Sequence, residues 1–190
     1  MLPLRYATSP DWLKTVLADF DTFIVDHAAA EKKASGMAMS MLSHYPDKYE
    51  LVKAMAELAI EEMAHFREVI KIVYERGLTL APDTKDQYVN QLRKLMRQGS
   101  DEYMLDRLIV AGIIEARGCE RFGLVAKGLE PGKLKDFYHA ITASEAKHET
   151  LFTDLAERYF EPNKVAARYD ELLDKEAEIC SSLPIIAALH

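Results

Sequence analysis

Along most of this chain the apolar residues return at alternating steps of three and four, the period of a helix that buries one side. Four long stretches carry such a stripe. The first reads Leu13, Leu17, Phe20, Ile24, His27, Glu31, and the second Met55, Leu58, Glu62, His65 or Phe66, Val69. The third reads Leu105, Leu108, Gly112, Glu115, Cys119, Phe122, and the fourth Tyr138, Ile141, Glu145, His148, Phe152, Leu155. Punctuation sets the ends. Ser9-Pro10-Asp11 places an N-cap before a Pro at the first helical position, and Tyr45-Pro46-Asp47 breaks that helix after His44. A second helix is predicted from Asp47 to Arg76, stopped by Gly77, and a shorter connecting helix from Thr84 to Arg97, opened by Asp83 and Thr84. Ser100-Asp101-Glu102 caps a third long helix that ends near Gly128. A fourth runs from Pro131 to Phe160, and a C-terminal helix from Pro162 to Ser182.

The pattern predicts an all-α protein: a four-helix bundle with a connecting helix and an extra C-terminal helix. Helices of about 30 residues would be about 45 Å long. Without a linker rich in Gly, Ser or Pro, residues 1–190 read as a single domain. One feature breaks the pattern, because charged residues interrupt every stripe near its middle. A buried carboxylate costs several kcal/mol unless something pairs with it, yet all four seams carry one.

Two seams carry Glu-x-x-His, as Glu62-Met-Ala-His65 and Glu145-Ala-Lys-His148. Residues three apart share a helix face, so each pair can offer an oxygen and a nitrogen to one ion. The other two seams supply lone carboxylates, Glu31 and Glu115. One Glu from each of two helices plus Glu-x-x-His from each of the others is the ligand set of bundles that hold two iron or manganese ions.

Taken alone, Glu-x-x-His is a weak signal in a chain with 18 Glu and 6 His. Spacing is the stronger one: Glu31 precedes Glu62 by 31 residues and Glu115 precedes Glu145 by 30. The chain therefore reads as two similar hairpins, each delivering Glu and then Glu-x-x-His. Glu120 and Glu149 lie off the stripe, and Glu61 has no His three residues ahead. A solvated Glu or a hydrogen-bonded core His explains any one of the six ligands, but not all six together. His27 reads as a supporting or pocket residue rather than a ligand. Asp136-Phe-Tyr-His139 reads as structural, Met37, Met39 and Met41 as core filling, and Cys119 as a buried inert thiol. Carboxylate-rich ligation with one imidazole per ion favours Fe(II) or Mn(II) over zinc or copper.

Composition narrows the class without naming a partner. Two cysteines outside any CxxC argue against a disulfide scaffold, a zinc ribbon or a rubredoxin-type site, and suit a reducing cytosol. Met1-Leu2-Pro3-Leu4-Arg5 lacks the layout of a signal peptide, and no apolar run reaches a membrane span of about 18 residues. A soluble cytoplasmic protein is expected, with no membrane partner. The formal charge of −7 leaves a nucleic-acid partner open, since cations can still gather on one face. Arg93, Lys94 and Arg97 cluster on the connecting helix, Lys127, Lys133 and Lys135 at the turn before the fourth helix, and Lys32 and Lys33 beside Glu31.

The residues around the six ligands resemble those of the MiaE-like family, the tRNA 2-methylthio-N6-isopentenyladenosine hydroxylases of the ferritin-like superfamily. The stretches are Asp26-His27-Ala-Ala-Ala-Glu31-Lys32-Lys33-Ala34, Glu61-Glu62-Met63-Ala64-His65-Phe66, Ile114-Glu115-Ala116-Arg117-Gly118-Cys119-Glu120-Arg121 and Ser144-Glu145-Ala146-Lys147-His148-Glu149. The resemblance implies a di-iron monooxygenase that uses O2 to hydroxylate the prenyl tail of a tRNA adenosine. Its two Fe ions would be held by Glu31, Glu62, His65, Glu115, Glu145 and His148. Electrons would come from a separate electron-transfer protein, because the chain has no flavin or nicotinamide fingerprint. Phe20, Phe23, Ile24 and Phe122 would either line a prenyl pocket or fill the core. Competing expectations are a ferritin-type iron store, a rubrerythrin-like peroxide-reducing or small-substrate oxidase, and a helical adaptor that binds no metal. The oligomeric state stays open between a monomer and a small homo-oligomer.

Overall fold

The computed structural model of the chain describes residues 4–190, except for the side chains of Ser100 and Glu149. The expectations for Met1-Leu2-Pro3 and for those two side chains lie outside the described residues. Among them the chain forms α1 (Pro10–Ala18), α2 (Phe20–His44), α3 (Tyr49–Glu75), α4 (Gln87–Lys94), α5 (Ser100–Gly128), α6 (Lys133–Tyr159) and α7 (Pro162–Ser182). Contacts divide the chain into two compact units. One is Met1–Leu13, Lys85–Ile185 and His190, and the other Lys14–Thr84 and Ile186–Leu189.

The first predicted helix is in fact two. Asp19 leaves helical geometry at φ −134°, ψ 60°, and its carboxylate accepts the Thr22 N–H at 3.3 Å. An Asp that caps its own downstream turn competes with helix continuation. The break changes the buried face: α1 buries Trp12 and Val16, while Leu17 from the predicted stripe is 37% exposed.

In the Lys14–Thr84 unit α2 and α3 form an antiparallel hairpin. Ile24, His27, Ala28, Glu31, Ala38 and Met41 are buried on α2, and Leu51, Met55, Leu58, Glu62, Val69 and Val73 on α3. The two backbones come close enough for the Ser35 hydroxyl to donate to the Ala59 carbonyl at 2.8 Å. Of the three clustered methionines only Met41 is fully buried, and Met39 is exposed. Gly77 ends α3 at φ 74°. The Leu78 N–H reaches the Val73 carbonyl and the Gly77 N–H the Tyr74 carbonyl, both at 3.0 Å. This left-handed closure needs a residue without Cβ, as the sequence anticipates.

In the other unit α4 begins later than predicted. Asp86 is its N-cap, accepting the Val89 N–H at 3.0 Å. Asp83 and Thr84, expected in that role, instead hold cations within the Lys14–Thr84 unit. Lys32 sits 2.8 Å from Asp83, and Lys33 donates to the Thr84 carbonyl at 2.9 Å. Gly99 occupies the N-cap position of α5, one residue before the expected Ser100. Here α4, α6 and α7 all pack against α5, and α5 is buried on nearly every side between Leu105 and Cys119.

That extra burial carries charges which the stripe analysis missed. Arg117, fully buried on α5, donates to both oxygens of Glu176 on α7 at 2.9 and 3.0 Å, to the Tyr6 carbonyl at 2.8 Å and to Glu120. The Tyr88 hydroxyl donates to Glu176 at 2.9 Å. A second set joins Asp106 on α5 to Arg97 at 2.6 and 3.0 Å and to Arg168 of α7 at 2.8 and 3.0 Å. The signal was present in α7, where Arg168 and Glu176 fall on the same face as Val165, Leu172 and Cys180.

Candidate metal centre

Glu31 lies on the buried face of α2, two turns after Ile24 and one after His27. Glu62 and His65 lie three residues apart on α3, so both project from one side of it. One donor atom each from Glu31, Glu62 and His65 fall within 4.8 Å of one another. The His65 Nδ1 stands 3.5 Å from Glu31 Oε2 and 3.7 Å from Glu62 Oε2. The other oxygen of Glu31 meets His27 Nε2 at 2.5 Å. Glu31 and Glu62 are 3% and 1% exposed, and His65 is half-buried.

The α5–α6 hairpin repeats the arrangement. Donor atoms of Glu115, Glu145 and His148 also lie within 4.8 Å of one another, and all three residues are buried. His148 Nδ1 is 3.2 Å from Glu145 Oε2. Each hairpin therefore assembles three of the six predicted ligands, two carboxylates and one imidazole.

The donor chemistry fits a divalent iron in each trio. Ligand atoms about 2.1 Å from one ion lie up to about 4.2 Å apart, so side-chain shifts of a few tenths of an ångström close either set around an ion. Two anionic oxygens with one nitrogen are a hard, oxygen-dominated set of the kind that iron and manganese take. Carboxylates buried beside imidazoles also have a physical reason to be there if a cation is to join them.

Other expected residues fall into place or out of it. Phe23 and Ile24 are wholly buried, Phe122 packs on Tyr138 with ring centres 5.9 Å apart, and Phe20 lies under the Arg76 guanidinium at 5.4 Å. The Cys119 thiol is buried, 3.5 Å from the Thr142 carbonyl. Asp136 and His139 are both exposed, so the pair is a solvated surface feature rather than a structural one. Among the candidate RNA contacts, Arg93, Lys94, Lys127 and Lys133 are exposed. Arg97 is held by Asp106, and Lys135 donates to the Leu129 carbonyl at 3.0 Å. No helix among the described residues is long and apolar enough to cross a membrane.

Comparison with known proteins bears on this geometry. The model of the family described as "tRNA-(MS[2]IO[6]A)-hydroxylase (MiaE)" matches residues 2–190. The tRNA 2-(methylsulfanyl)-N(6)-isopentenyladenosine(37) hydroxylase of Pseudomonas putida is 34% identical over 175 residues, 92% of this chain and 85% of that one. The protein of the same name from Salmonella typhimurium is 30% identical over 157 residues, 83% of this chain and 57% of that one. Among solved structures, protein 43 with aldehyde deformylating oxygenase activity from Synechococcus matches with a TM-score of 0.93 at 32% identity. The match covers 98% of this chain and 94% of that one. The fold is accordingly of the ferritin-like helical class that the resemblance implies, with α4 as the connecting helix and α7 as the C-terminal addition.

Proposed function

Because the chain belongs to the MiaE family of tRNA hydroxylases, we propose that residues 1–190 act as one catalytic domain that adds oxygen to the isopentenyl side chain of 2-methylthio-N6-isopentenyladenosine in tRNA. Two irons are held by Glu31, Glu62 and His65 from one hairpin and Glu115, Glu145 and His148 from the other. The observation that carries this reading is the repetition of a Glu, Glu, His trio with buried carboxylates in both hairpins of a chain matched over residues 2–190.

When bound, the two irons supply the reduction of O2, one atom of which enters a C–H bond while the other leaves as water with two electrons and two protons. The carboxylates offset the ions' charge, and the imidazoles, neutral when they ligate, bind through a lone pair. Phe23 and Ile24, wholly buried one turn before His27 on α2, make the helix face that leads to Glu31 apolar. Electrons come from a separate electron-transfer protein, and the enzyme works in the cytoplasm. For the phosphates of tRNA, Arg93 and Lys94 on α4 and Lys127 and Lys133 around the α5–α6 turn are exposed clustered cations. Arg97 is already bonded to Asp106 and is left out of that set.

The likeness to the Synechococcus protein favours one second reading, an oxygenase acting on an aldehyde. Mass spectrometry of tRNA nucleosides from cells with and without the gene separates the two. The hydroxylated prenyl adenosine should vanish on deletion and return with the wild-type gene but not with Glu145→Ala. Its persistence in a deleted strain with no second copy would remove the tRNA reaction. Aldehyde consumption by the iron-loaded protein would then support the other reading.

A further inference from the structure

The two trios match in ligands but differ one turn upstream. On α2 the position four residues before Glu31 is His27. On α5 the position four residues before Glu115 is Ala111, which is buried and carries no polar group. His27 is wholly buried, and its Nε2 lies 2.5 Å from Glu31 Oε1. An ionised carboxylate only accepts, so the imidazole proton is on Nε2 and His27 donates. The other oxygen, Oε2, is the one near His65, at 3.5 Å. The two oxygens of Glu31 thus have separate duties, one held by a hydrogen bond and one turned toward the other ligands.

We propose that His27 is a positioning residue that keeps Glu31 a one-oxygen ligand to the ion it shares with His65. An oxygen engaged in a short charge-assisted hydrogen bond is a poor second donor to a metal, so the ion keeps a coordination position that the protein does not fill. The α5–α6 trio has no such residue at the matching position. The inference rests on Glu31, Glu62 and His65 being metal ligands.

Side-chain isosteres test it on the full-length protein. A Gln amide nitrogen reaches the place of Nε2, whereas an Asn amide nitrogen reaches only that of Nδ1. Metal-free wild type, H27Q and H27N are titrated with Co(II), whose visible absorption weakens as its coordination number rises. Wild type and H27Q should each take two ions with similar affinity and spectrum. H27N should bind one ion as wild type does and the other about 10- to 100-fold more weakly, with a fainter band for that ion. If H27N does not fold, H27F keeps a buried ring without a donor and should give the same result. Two ions bound by H27N or H27F with wild-type affinity and spectrum would overturn the role of His27. Wild type taking up fewer than two ions would remove the ligand reading on which it rests.

Discussion

Buried acids occupy two regions of this protein in opposite company. In the network around α5, Glu176 and Asp106 meet guanidinium groups from Arg117, Arg97 and Arg168. In the trios, Glu31 meets His27 and His65, and Glu145 meets His148. A guanidinium stays charged at any ordinary pH and has no lone pair to give. An acid beside Arg is therefore neutralised permanently, and the pair is complete in itself. A neutral imidazole is itself an electron-pair donor, so an acid beside His makes a ligand set that a cation completes. The counter-group, more than burial, tells a structural acid from a functional one.

The ionisation of the network follows the same logic. Burial alone would push the Arg117 pKa down, but Glu176 and the surrounding groups outweigh it and push it up. Burial would raise the Asp106 pKa, yet the hydrogen bonds from Arg97 and Arg168 hold it below the usual carboxylate value.

The widest separation between the regions should appear when each loses one member. Arg117→Met strands Glu176 in the interior and should lower the unfolding free energy by about 3–5 kcal/mol in urea titrations, with much of it recovered when Glu176→Leu is added. Glu145→Gln keeps its shape and an acceptor for His148, and should change the metal-free protein by about 1 kcal/mol or less. It should also remove the gain of about 2.7 kcal/mol that Fe(II) at a hundred times its Kd gives through the α5–α6 site, leaving the gain from the α2–α3 site. A mild Arg117→Met beside a severe Glu145→Gln would reverse the assignment of the two regions.

A smaller effect sharpens the network side. With its pKa depressed in the folded state, Asp106 contributes stability that is fully present above about pH 4. That contribution is lost as the pH falls through the folded-state value. Unfolding followed from pH 7 down to pH 3 should therefore show a shallower acid slope in Asp106→Asn than in wild type, and identical slopes would discount the pair.

The smallest effect on stability belongs to the exposed cations of α4. Arg93→Glu with Lys94→Glu should leave stability within about 0.5 kcal/mol, yet weaken tRNA binding and flatten its salt dependence by one to two units of logarithmic slope. Unchanged affinity at moderate salt would exclude this cluster. Arg97 stays untouched in that variant, since reversing it would also break the Asp106 pair.

The same contrast explains how much was legible in the sequence. Glu-x-x-His is local, and helical spacing alone makes Glu62 neighbour His65 and Glu145 neighbour His148. The start of α7 followed equally directly from Pro162, which stands at its first position. The break at Asp19 was harder to read, because Asp inside a helical pattern is tolerated until its side chain finds the Thr22 N–H. The Arg117 and Asp106 pairs were harder still. Their partners Glu176 and Arg168 lie 59 and 62 residues away, and a search for one apolar stripe per helix overlooks a helix buried on nearly every side. The Arg97 pairing was out of reach for the same reason: its partner Asp106 lies nine residues on, beyond the connecting helix.

The central claim is that Glu31, Glu62, His65, Glu115, Glu145 and His148 hold two irons. Anomalous diffraction at the iron edge from crystals of the iron-loaded protein tests it most directly. Two strong peaks are predicted, each within bonding distance of an imidazole nitrogen of His65 or His148 and of the carboxylates beside it. A map with no peak there, or with iron only at surface acids, would contradict the account.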